Sequence, residues 1–235
     1  MLKALIGFKV GMTQIFDTTG NLIPVTVVSA GPCVVTEIKT KERDGYTAVQ
    51  LGFGELKEKS ANRPMKGFFA KKNLPLKKIL KEYRLKDISG FTIGQEIKAD
   101  VFAPGDTVDV SAVSRGHGFS GVVKRYNFRG GPSTHGQSDR LRAPGSSGSQ
   151  GPQRVLKGSR RPGHFGCDET TVQRLKIVSV DPEKNLVLIK GCLPGPKNQT
   201  VFINKTVKKV KAVVVAKATG KAKKVVKKIT APQKA

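Results

Sequence analysis

The sequence predicts a mainly β chain whose short strands close into a barrel, with an irregular lobe and a long basic extension. Three observations predict this. Apolar and polar residues alternate in short runs broken by Gly, Pro, Asn and Asp, the pattern of half-buried strands joined by tight turns. Helical spacing of apolar residues is confined to short stretches. From Arg115 to Cys167 runs a Gly-, Ser- and Pro-rich segment with ten Lys or Arg residues and one acid, Asp139. Such a segment buries too little apolar surface to form a core of its own, and its charge asks for a polyanionic mould.

Residues 1–54 read as β. Leu5, Gly7 and Phe8 lead into Val10-Gly11 and then Thr13, Ile15 and Phe16, and Thr18-Thr19-Gly20 turns the chain into Leu22–Val28. Cys33–Lys39 and Tyr46–Phe53 flank Asp44-Gly45, a hairpin signal because Gly supplies the positive φ such turns need. Strands following one another through tight turns favour a barrel over βαβ units. Alternation then lapses in an irregular basic lobe over 55–90, marked by Asn62-Arg63-Pro64 and Asn73-Leu74-Pro75. Leu76, Ile79, Leu80 and Tyr83 fall at i, i+3, i+4 and i+7, which predicts a short helix over Leu76–Arg84 with Lys77, Lys78 and Lys81 on its other face.

Strands resume at Gln95–Phe102 and Asp106–Val113, turned by Pro104-Gly105. The extension occupies 114–170. Beyond it Thr171–Val180, Asn185–Cys192 and Thr200–Ile203 read as three more strands, the first two joined through Asp181-Pro182-Glu183-Lys184. The extension therefore interrupts one β domain over 1–207, whose flanking strands should hold its ends together. Residues 208–235 are Lys-rich, and no acid follows Glu183, so they read as a disordered interaction tail.

With 43 Lys and Arg against 17 Asp and Glu, the formal net charge is +26. A lone domain with that charge repels itself, and binding phosphates relieves the repulsion while releasing counterions. Cys33, Cys167 and Cys192 are odd in number and show neither a disulfide framework nor zinc spacing, so reduced, buried thiols are expected. The opening MLKALIGFKVGMTQIF alternates like a strand and lacks a cleavage site, and no apolar run approaches a membrane span, which predicts a cytoplasmic protein.

Gly116-His117-Gly118-Phe119-Ser120-Gly121 spells G-x-G-x-x-G, the fingerprint of a dinucleotide site. Its fold context is missing, because Phe128–Ser138 has no apolar run to serve as the next parallel strand. Phe119, Val122, Val123 and Tyr126 instead predict an apolar stripe on a helix over Phe119–Tyr126, with Lys124, Arg125 and Arg129 projecting elsewhere. His117, His135 and His164, with Cys167, are too sparse for a metal site and suit contacts to bases or phosphates. Walker A, G-x-S-x-G and paired buried carboxylates are all lacking. The sequence therefore predicts no enzyme, no cofactor or metal, and no small-molecule substrate.

GFKVGMTQIFD, SRGHGFSGVVKRYNFRGGPSTHG, RAPGSSGS and RVLKGSRRPGHFG, in that order, resemble the universal large-subunit ribosomal protein L-three family in its bacterial form. The resemblance runs over residues 1–207. It implies a translation-protein-type β-barrel, binding to 23S rRNA near its 3′ end, early nucleation of subunit assembly, and contacts with neighbouring large-subunit proteins. It implies an extension that reaches toward the peptidyl transferase centre, with its tip at Gly145, Ser146, Ser147, Gly148, Ser149 and Gln150 and continuing to Gln153. Some members carry an N5-methylated glutamine there; Gln150 is the candidate and Gln153 the alternative, although SSGSQGPQRV departs from the family pattern. On this reading Arg115, Lys124, Arg125, Arg129, Arg140, Arg142, Arg154, Lys157, Arg160 and Arg161 neutralise rRNA phosphates, while Phe128, Phe165 and the histidines stack on bases. The rival readings are a general nucleic-acid packaging protein and a dinucleotide-dependent enzyme.

Overall fold

In a computed structural model, residues 2–208 are described, and most of the predicted Lys-rich tail (209–235) lies outside them. Strands β1 (Ala4–Phe16) and β2 (Leu22–Ala30) form a hairpin turned at Gly20, whose φ is 79°. A second hairpin joins β3 (Cys33–Lys39) to β4 (Ala48–Glu55) through the one-turn helix α1 (Lys41–Asp44) and Gly45. Helix α2 (Arg63–Ala70), β5 (Lys77–Arg84) and the short β6 (Glu96–Ile97) follow. Then β7 (Thr107–Val113) leads into an arm that holds β8 (Gly118–Ser120), α3 (Val122–Tyr126) and β9 (Gly163–Phe165). The chain returns through β10 (Glu169–Asp181), β11 (Leu186–Lys190) and β12 (Thr200–Lys205).

Six strands close a barrel in the order β1-β12-β7-β10-β11-β2, every neighbouring pair antiparallel. Closure leaves this sheet no open edge. The two-residue period sets which side chains fill it: Val108, Val110 and Ala112 from β7, Val187 and Ile189 from β11, and Val201 and Ile203 from β12 are all buried. Burying an aliphatic side chain of this size contributes about 1.5–3 kcal/mol. At one end the Lys3 ammonium donates to Asp106 at 3.0 Å, and the Ala103 N–H donates to the same carboxylate. Both hold the Asp106 carboxyl below the usual carboxylate range.

A second sheet, ordered β5-β4-β3-β6, covers one side of the barrel. Its presence explains why Ala4, Leu5, Ile6 and Gly7 are all buried, against the alternation: the outward-facing residues of β1 meet this sheet. The Ile6 N–H donates to Cys33 Sγ at 3.4 Å, and the Phe8 and Phe53 rings lie 5.0 Å apart. Within the barrel, Gly7 lets β1 lie close against β2, since a Cβ there would stand 2.5 Å from the Ser29 carbonyl oxygen and 2.9 Å from Val28. Both sheets share one continuous apolar core.

The mainly β barrel with a lobe and a basic extension is the architecture observed, with four local corrections. β3 and β4 belong to the second sheet and not to the barrel. Leu76–Arg84 is not helical: β4 offers a pairing edge over Ala48–Glu55, and β5 takes it. Its spacing suits both periods, because Ile79 and Tyr83 also share one face of a strand, with Tyr83 buried. Gln95–Phe102 shrinks to β6 plus a 3₁₀ turn at Ala99–Val101. Only Cys33 is buried, whereas Cys167 and Cys192 are exposed.

Two outcomes follow from this packing. Gly7→Ala should destabilise the fold by about 1–3 kcal/mol, because β1 and β2 of the barrel must part to admit the methyl group; urea denaturation measures it. Burial pushes the Cys33 thiol up to about 11. In native protein at pH 8, a thiol-specific disulfide reagent should therefore titrate two thiols quickly, and the third only after unfolding.

Candidate nucleic-acid interface

The arm springs from the pairing of β7 with β10, where Val113 faces Glu169 and Ala112 faces Thr170. Above that pair the Ser114 N–H donates to the Asp168 carbonyl at 2.9 Å, and the Asp168 N–H donates to Ser114 Oγ at 3.2 Å. The two chains then close to a separation that side chains would forbid. A Cβ on Gly116 would stand 2.8 Å from Cys167 Sγ, and one on Gly166, at φ 83°, would run into the Arg115 carbonyl. Next, the His117 N–H donates to the Phe165 carbonyl at 2.9 Å, and the two rings stack with centroids 4.8 Å apart. β8 and β9 extend the ribbon with Gly118 opposite Phe165, Phe119 opposite His164 and Ser120 opposite Gly163. The flanking strands thus hold the ends of the extension side by side, as their placement predicts.

This ribbon also replaces the predicted helix over Phe119–Tyr126. Only Val122–Tyr126 is helical, and the stripe is broken because Phe119 sits on a strand with 81% of its surface exposed. Ser120 and Val122 are the only buried side chains between Ser114 and Asp168. Arg125 braces the helix to the returning chain, donating from Nη1 to the Arg161 carbonyl at 2.9 Å. The Arg125 and Arg160 guanidinium groups lie 5.0 and 5.6 Å from the centre of the Tyr126 ring. Gly116–Gly121 therefore forms a neck and an antiparallel ribbon, without the parallel strand and long helix that a dinucleotide loop needs.

Farther out, the arm is held by isolated contacts. The Gly131 N–H donates to the Leu141 carbonyl at 3.0 Å, and a Cβ on that glycine would stand 2.8 Å from the Arg140 carbonyl oxygen. With its amide oxygen turned inward, Gln137 accepts from the Arg140 and Leu141 N–H groups at 2.7 and 3.2 Å. At the tip, Ser146 Oγ donates to the Gly148 carbonyl at 3.0 Å. Every residue from Pro144 to Arg160 is exposed, Gln150 and Gln153 among them.

Of the ten arm cations, eight are exposed, and Arg125 and Arg161 are partly covered. Among the described residues, no ion pair includes any of the ten. Asp139, the single acid among them, meets only the Ser138 hydroxyl, at 3.4 Å. Around the covering sheet, by contrast, some cations are paired. Lys39 lies 2.9 Å from Glu82, and its ammonium is raised above its usual range by the Tyr46 hydroxyl and then by Glu82. Lys72 and Arg43 converge on Glu37. Like charges that lack acids and stand on a thin ribbon make a surface for a polyanion. Phe119 is the residue that periodicity misplaced; Gly118 before it and Gly121 after Ser120 are the sequence signal that the helix starts later.

A family model described as Ribosomal protein L3 matches residues 87–185, a span that contains the whole arm. The chain is 57% identical over 216 residues to Large ribosomal subunit protein uL3 of Endomicrobium trichonymphae, which covers 92% of this chain and 95% of that protein. The chain belongs to the uL3 family. It is also 52% identical over 208 residues to Large ribosomal subunit protein uL3 of Brachyspira hyodysenteriae, covering 88% of this chain and 96% of that one. With so much of both lengths aligned, uL3 membership extends over the barrel and its covering sheet as well as the arm.

The contacts just described imply a gradient of order along the arm of this uL3 chain. Among the described residues no main-chain N–H from Pro144 to Gly158 donates to a main-chain carbonyl. In free protein these amides should exchange at nearly unprotected rates, while those of Val108–Val113 exchange orders of magnitude more slowly. Hydrogen exchange read by mass spectrometry measures both, and equal protection in the two segments would contradict the gradient.

Proposed function

We propose that this chain is a primary 23S rRNA-binding protein of the large ribosomal subunit, and that its arm takes a fixed course only among rRNA phosphates. Membership of uL3 makes it a structural constituent of the large ribosomal subunit, with a role in translation. The finer reading rests on one observation: ten cations on the arm meet no acid, on a segment with two buried side chains. Folding leaves their charge uncompensated, so the compensation has to come from a bound polyanion.

In this reading the barrel and its covering sheet are the preformed body, docked near the 3′ end of 23S rRNA and able to bind early in assembly. Arg115, Lys124, Arg129, Arg140, Arg142, Arg154, Lys157 and Arg160 contact phosphates. Arg125 and Arg161 divide their role between phosphate contact and bracing α3, which their partial burial supports. The tip from Gly145 to Gln150 reaches toward the peptidyl transferase centre, and exposure of Gln150 suits an N5-methyltransferase. Neighbouring large-subunit proteins are the other partners.

Replacing Arg140, Arg142, Arg154 and Lys157 together with Gln should flatten the dependence of log affinity on log salt by about 3, at 0.7–0.9 for each phosphate no longer neutralised. Filter binding to a large-subunit rRNA transcript between 50 and 200 mM salt measures it. Bulk duplex DNA serves as the competitor: a packaging protein would bind both nucleic acids equally at fixed salt, whereas the proposed function requires preference for the transcript.

A further inference from the structure

We propose that Phe119, with His164 beside it, is a stacking platform for one unpaired nucleobase, a site separate from the phosphate contacts. The proposal rests on the rRNA-binding reading above. Phe119 has 81% of its surface exposed, and it lies directly opposite His164, also exposed, in the β8–β9 ribbon. Residues directly opposite in an antiparallel pair share a face of the ribbon, so the two rings are neighbours on one surface.

Three features separate this arrangement from an aromatic left in solvent by chance. The ribbon beneath is braced at both ends. On one side stands the His117–Phe165 stack, and on the other the bond from Arg125 to the Arg161 carbonyl, beside which Gly163 leaves room for the guanidinium. The ring itself is open, with 81% of the residue's surface exposed, so a flat group can lie against it. And burial was available, because Ser120, the next residue, turns inward and is 5% exposed, while Phe119 turns outward.

The occupant follows from charge. Arg115 precedes and Lys124 follows Phe119 within five residues, both exposed, and no arm cation has an acidic partner among the described residues. An apolar protein surface would have to cover those charges without neutralising them. A nucleotide brings a π face for the rings together with a phosphate for the cations. The base is unpaired because stacking on a side chain needs an exposed face.

The test compares Phe119→Ala, Phe119→Leu and Phe119→Trp with the wild-type chain on a large-subunit rRNA transcript at fixed salt, after thermal melts confirm unchanged folding. Phe119→Ala should weaken binding by about 5- to 100-fold with the salt slope unchanged, since stacking carries no counterion release. Phe119→Trp should retain affinity, and Phe119→Leu should lose most of it. Retention by Phe119→Leu would mark an ordinary apolar contact and overturn the stacking proposal, as would an unaltered affinity of Phe119→Ala. A wild-type chain with no preference for the transcript would instead fail the proposed function, and the platform with it.

Discussion

The antiparallel pairing of β7 with β10 is the interaction on which the rest of the structure depends. It closes the barrel, because β7 and β10 stand side by side in the ring of six strands. It also brings together two points of the chain more than fifty residues apart, Val113 and Glu169. Fixing a backbone residue costs about 1–2 kcal/mol of conformational entropy, and an arm with two buried side chains cannot offset that for its whole length. The barrel strands can, so they carry the loop-closure cost and deliver the arm as an anchored ribbon. The glycines at 116 and 166 then let the two chains of the neck run closer than side chains permit.

Hydrogen bonding thins outward from that anchor, while the exposed cations are spread along both chains of the arm up to Arg142 and Arg154. Near the barrel there is a regular ladder and a stacked ring pair; farther out come single hydrogen bonds from Gly131 and within the turn at Ser146. Around the covering sheet some cations are paired, Lys39 with Glu82 and both Lys72 and Arg43 with Glu37. The arm leaves its cations without acids, which is the charge that the proposed rRNA contact would neutralise. Under the proposed function, a preformed body with an uncompensated arm divides the work: the body supplies a fixed origin, and the bound RNA would determine the final path.

Much of this was legible in the residues. Every strand of the barrel was read close to its observed bounds, because β7, β11 and β12 bury one face only and the two-residue period survives. Misreadings arose where a segment packs on more than one side or where its spacing suits both periods. Leu76–Arg84 carries apolar residues at helical spacing and became a strand because β4 had a free edge. Gln95–Phe102 paired at only two residues. Phe119 looked like the first residue of a helical stripe, and the ladder between β8 and β9 took it out of the helix.

What the sequence by itself determined was local and compositional: strand periodicity, the turns at Gly20, Gly45 and Gly105, the excess of cations on the arm, and motifs long enough to mark the uL3 family. Tertiary structure alone decided which strands close the barrel and which cover it, how near the two chains of the neck run, and which aromatic faces solvent. The reason is that alternation reports whether a residue has a buried side but not what covers it. Partner choice among β strands is a long-range competition for edges, and no single segment encodes its outcome.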